Sequence, residues 1–182
     1  MRSFFIRNCF VATLILCTLL SPISGQDCEN GADTINEQYL LCCTGRPIYA
    51  SENCIDKMME TNKFSPNCLL ACMYREYGIY DDLDTLDLDA ASKLLDEQVL
   101  NENFNAVYKQ AFERCSQFEK SNLFESFSFI NATNRYGCDK YPRFVDSCVW
   151  YYTVANCPSS HIVDSEECNS KTVWLNECIF KE

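Results

Sequence analysis

Histidine is almost absent from this chain: His161 is the only one in 182 residues. A ribonuclease generally needs two histidines for its acid and base roles. A phospholipase A2 needs a histidine–aspartate pair beside a calcium loop. One histidine, placed in Ser160-His161-Ile162 with no nucleophile motif around it, serves neither scheme. It reads as a solvated loop residue, and no catalytic residue is expected. Cys-x-x-Cys pairs are also missing, so the cysteines do not have zinc spacing. The acidic run Asp81, Asp82, Asp84, Asp87 and Asp89 lacks the central glycine and terminal glutamate of an EF-hand. These carboxylates read instead as dipole partners of a following helix. No metal and no cofactor is expected. Positive charge is scarce too, with 15 Lys+Arg against 26 Asp+Glu and a net charge of −11. Such a surface repels phosphate backbones and anionic headgroups, which excludes nucleic acid and membrane lysis as expected roles.

Long apolar runs are missing beyond the first residues, so no membrane insertion is expected. Arg2 and Arg7 flank the apolar stretch Phe10 to Leu20, and Ser21-Pro22-Ile23-Ser24-Gly25 offers small residues at a cleavage point. This is the pattern of a signal peptide over residues 1–25, with residues 26–182 as one secreted, extracellular domain. Cleavage would also remove Arg2 and Arg7 and leave the remainder still more acidic.

No repeat, low-complexity tract or long linker interrupts the rest. Thr34-Ile35-Asn36-Glu37 has the form of a capping box, opening a helix toward Cys43 that stops near Gly45 and Pro47. Ser51 caps a short helix carrying Cys54, Met58 and Met59. Ser65-Pro66 opens another that ends near Gly78. A helix through Ala90 to Leu95 follows the acidic run. Phe104, Val107, Tyr108, Ala111, Phe112, Cys115 and Phe118 fall at three- and four-residue steps on one helical face. Residues 121–136 lack periodicity. A last strong helix runs from about Pro142 to Cys157, where Pro158 stops it. Asn131-Ala132-Thr133 is a glycosylation sequon.

Cysteine, by contrast, is abundant. Outside the signal lie Cys28, Cys42, Cys43, Cys54, Cys68, Cys72, Cys115, Cys138, Cys148, Cys157, Cys168 and Cys178. An even number in a secreted chain implies a disulfide framework of up to six bridges, with about ten thousand possible connectivities. Cys68 and Cys72 share a helical face one turn apart, so together they tie one helix to two other segments. Cys148 and Cys157 stand on opposite sides of theirs, which clamps it between two neighbours. Cys168 and Cys178 are expected to bring the tail back onto the bundle.

Cys68-x3-Cys72, the 42 residues to Cys115, and Cys148-x8-Cys157 resemble the central signature of insect odorant-binding proteins. The 32 residues between Cys115 and Cys148 are longer than in the six-cysteine form, with Cys138 added inside them. Pro158 directly after Cys157, and the added Cys168 and Cys178, resemble the Plus-C subclass. The resemblance covers Cys43 to Cys178. It implies an all-α, disulfide-rich domain of about six to eight helices around an apolar cavity, with residues 158–182 as a C-terminal extension. It implies the bridges Cys68–Cys148 and Cys115–Cys157, and joins Cys72 to Cys42, Cys43 or Cys54.

The function implied by the resemblance is binding and transport of small hydrophobic molecules, odorants or similar semiochemicals, as in olfaction. The expected ligand-binding wall is Met73, Tyr77, Leu95, Val107, Phe112, Phe118, Phe127 and Trp150, since such pockets are built from aromatic and aliphatic side chains. Met58, Met59 and Met73 would make that wall adaptable. A small apolar ligand and a membrane odorant receptor are the expected partners, with the carrier a monomer or homodimer. The rival expectation is a secreted interaction protein, rigidified by its cysteines and recognised by a protein partner.

Overall fold

A computed structural model describes residues 28, 41–45, 51–80, 86–117 and 136–181. Among them are six α-helices: α1 (Glu52–Thr61), α2 (Pro66–Glu76), α3 (Leu88–Gln98), α4 (Glu102–Ser116), α5 (Tyr141–Ala155) and α6 (Glu166–Trp174). A 3₁₀ turn, Ser159–His161, precedes α6, and a π-helical turn, Leu175–Ile179, follows it. The described residues form no β-strand beyond two isolated bridges, Cys43 with Ile162 and Tyr80 with Leu86. None of these helices is long and apolar enough to cross a membrane. The chain is mostly helical and disulfide-rich.

Local chemistry sets the helix starts. Ser51, Ser65 and Ser165 each accept a hydrogen bond from the backbone N–H of the cysteine three residues on, Cys54, Cys68 and Cys168. Asp87 caps α3 through Ala90 N, and Asn101 caps α4 through Asn103 N and Phe104 N. Each cap satisfies donors that the first turn leaves without a partner. The capping box at 34–37 lies outside the described residues, as does the Asn131 sequon.

The core sits where α4 meets α5. Phe104, Tyr108, Ala111 and Cys115 on α4, and Phe144, Val145, Cys148 and Val149 on α5, have no exposed surface. The α4 residues belong to the helical stripe expected from residue spacing alone. α2 and α3 pack on the two sides of this pair, and Trp174 and Leu175 bring the tail down onto the same core.

The bridges are Cys28–Cys178, Cys42–Cys168, Cys43–Cys157, Cys54–Cys72, Cys68–Cys138 and Cys115–Cys148. This corrects two expected pairs. Cys68 does not pair with Cys148, because Cys138, just ahead of α5, stands 5.1 Å from it (Cα–Cα) and takes that place. Cys148 is then held by Cys115 across the α4–α5 interface at 5.9 Å. Cys157 therefore pairs with Cys43, at 5.7 Å, and not with Cys115. Of the three partners left open for Cys72, Cys54 is the one it takes. Cys68 and Cys72 do tie one helix to two segments, and Cys148 and Cys157 do hold α5 between two neighbours.

Three bridges fasten the beginning of the chain to its end. Backbone contacts run beside them: Thr44 N donates to His161 O at 2.9 Å and Val163 N to Cys42 O at 3.1 Å. His161 is therefore not a solvated loop residue. It is half-buried, with its ring centroid 4.8 Å from that of Phe104. Gly45 makes room for it: a Cβ there would lie 2.8 Å from His161 Nδ1, and its φ of +67° also suits glycine.

Candidate functional site: a groove on the α1–α2 hairpin

The short turn 62–65 folds α2 back against α1, and Cys54–Cys72 fastens the two. On α1 the residues Asn53, Cys54, Lys57 and Met58 lie at helical spacing on one face. On α2 Cys68, Ala71, Cys72, Arg75 and Glu76 do the same. Together with Gly137, Cys138 and Asp139 they line a groove of about 710 Å³, open to solvent. Met58, Ala71 and the two disulfides give it an apolar floor. Lys57, Arg75, Glu76 and Asp139 supply its charge.

Both carboxylates of the groove are engaged by the protein. Glu76 accepts hydrogen bonds from Ser51 Oγ and, at 2.7 Å, from Asn53 Nδ2. Asp139 accepts from Tyr80 OH at 2.5 Å and from Tyr141 N at 3.0 Å. The Ser51 bond, with the Asn53 bond behind it, holds the Glu76 carboxyl below its ordinary value of 4.5. The ionised contact therefore stabilises the hairpin above that value, and this stabilisation is lost as pH falls through the lowered folded-state pKa. Glu76→Gln should remove part of the fall in Tm on acidification. A melting series between about pH 6 and pH 3 checks this, and identical acid slopes for both proteins would disprove it.

A smaller cleft of about 200 Å³ lies between α3 and α4, lined by Leu88, Ser92, Leu95, Lys109, Phe112 and Glu113. Lys109 bridges to Asp96 at 2.7 Å across its rim, and this hydrogen bond lowers the pKa of the Asp96 carboxyl. A third depression of about 410 Å³ lies between the ends of α4 and α5 and the tail at Asn176 to Lys181.

The expected wall residues divide among these places. Leu95 and Phe112 meet in the α3–α4 cleft, and both are buried. Met73 is buried in the common core, and Tyr77, capping the end of α2, packs against it. Val107 and Trp150 are half-buried on α4 and α5 and line none of the three depressions. Phe118 and Phe127 lie outside the described residues. None of the eight lines the larger groove; of the residues expected around the wall only Met58, named for its adaptability, does so. The usable signal was the spacing of polar residues beside cysteines, Asn53/Cys54/Lys57 and Cys72/Arg75/Glu76. Among the described residues no group of three or more His, Cys, Asp or Glu could hold a metal ion.

No protein-family model, curated protein or solved structure matches this chain.

Proposed function

We propose that the protein is a secreted carrier of small hydrophobic molecules and not a catalyst, with residues 1–25 as its signal peptide and residues 26–182 as the working domain. The observation that carries this reading is the α1–α2 groove. Its volume of about 710 Å³ suits a small organic ligand, and Cys54–Cys72 and Cys68–Cys138 brace its walls. The odorant-binding resemblance supports the same function through the cysteine spacing. A ligand that hides about 300 Å² of apolar surface gains about 7 kcal/mol before the cost of immobilisation. The dissociation constant this allows is no tighter than about 10 micromolar, and tens of micromolar is expected once immobilisation is counted.

An apolar fluorescent probe should therefore bind the oxidised protein at one site per chain. Medium-sized alcohols, esters or aromatics should displace it. Absence of probe binding at tens of micromolar would end the carrier reading. The interaction-protein reading would then take its place, favoured by Met59 and Phe64, exposed by 61% and 60% near the turn of the same hairpin.

A further inference from the structure

The groove's hydrogen-bonding groups are unevenly engaged. All four oxygens of Glu76 and Asp139 already receive a donor from the protein. The two cations do not have the equivalent. The Lys57 ammonium has no acceptor among the described residues. The Arg75 guanidinium lies over the Tyr80 ring, 5.7 Å from its centroid, and none of its N–H groups has an acceptor there either. The ring contact restrains a planar fork whose geometry matches a carboxylate. The donors to Glu76 and Asp139 are neutral and leave both carboxylates charged, so the groove holds two positive and two negative groups. What it can still offer a ligand is the N–H donors of its two cations above an apolar floor.

Position along the hairpin adds to this. The helices run antiparallel, so Lys57 and Arg75, each three residues beyond the Cys54–Cys72 bridge on its own helix, stand on opposite sides of it. At 1.5 Å per residue they are about 9 Å apart along the groove. Met58, Ala71 and Cys68 lie on the Lys57 side of the bridge.

We propose that this groove takes an anion-headed amphiphile, an alkyl carboxylate. Its head lies on Arg75, and its chain runs across the bridge along Met58 and Ala71. The proposal rests on the carrier reading and names its ligand class. Exposure and salt hold the advantage of the charged head to about tenfold.

The test is displacement of the apolar probe from the full oxidised chain at about pH 7.5, where the carboxylate is ionised. Decanoate, 1-decanol and decyltrimethylammonium share one chain length and differ in head charge. Decanoate should bind about tenfold tighter than decanol, and the quaternary amine should bind weakest. About 0.5 M salt should shrink the difference, a readout that needs no variant. Arg75→Gln should bring the decanoate-to-decanol ratio close to one, whereas Arg75→Lys should retain part of it. If both chains displace the probe equally well, this inference fails and the carrier reading stands. Preference for decanoate that survives both Arg75→Gln and Lys57→Gln places the head elsewhere and overturns it. If no probe binds, both readings fall.

Discussion

Replacing Cys115 and Cys148 together by alanine is expected to lower stability by about 4 kcal/mol. Their bridge closes a loop of sequence separation 33, for which restriction of the unfolded chain alone accounts for nearly all of that figure. Both residues are fully buried at the α4–α5 interface, so the two alanines also leave a small void. A longer loop does not mean a larger loss in this protein. Cys42–Cys168 spans 126 residues, yet Cys43–Cys157 sits immediately inside it. With that inner bridge intact, the outer one closes an effective loop of only about 12 residues, worth about 3 kcal/mol. Guanidinium unfolding of the two double-alanine variants without reductant compares them. A larger loss for Cys42/Cys168 would refute the nested-loop argument.

Phe112→Ala should lower stability by about 3 to 5 kcal/mol, the usual range for truncating a buried phenylalanine. The side chain is 2% exposed, and its ring centroid lies 6.2 Å from that of Tyr74. Its other side forms the wall of the α3–α4 cleft with Leu95. The truncated site should therefore join the cleft into a larger apolar space. A benzene-sized probe should bind there and raise the Tm of the variant but not of the parent protein. A loss below about 1 kcal/mol would show that the surroundings collapse into the space, and the probe should then have no effect. Placed this deep, Phe112 governs folding before it governs any choice of ligand.

Helix starts were legible because capping is local: Ser51 and Ser65 each act on an N–H group three residues away. The α4 stripe was legible because burial follows helical period. The bridge partners were not. Pairing depends on which helices lie against each other, and a single added residue, Cys138, redirects Cys68 and through it Cys148 and Cys157. His161 was misread for a related reason. Its half-burial comes from the start of the chain crossing over it at Thr44 and Gly45, a contact between segments more than a hundred residues apart. The α1–α2 groove escaped notice because a search for apolar walls looks past lysine, arginine and glutamate.

The three staples between the first and last parts of the chain make it nearly a closed ring. A peptide bond cut anywhere between Cys43 and Cys157 leaves two fragments still joined by Cys28–Cys178, Cys42–Cys168 and Cys43–Cys157. A protease would need a second cut, or a reductant, before any piece could diffuse away. One nick thus becomes an internal scar in a body that keeps its parts at high effective concentration, and not the first step of its dispersal.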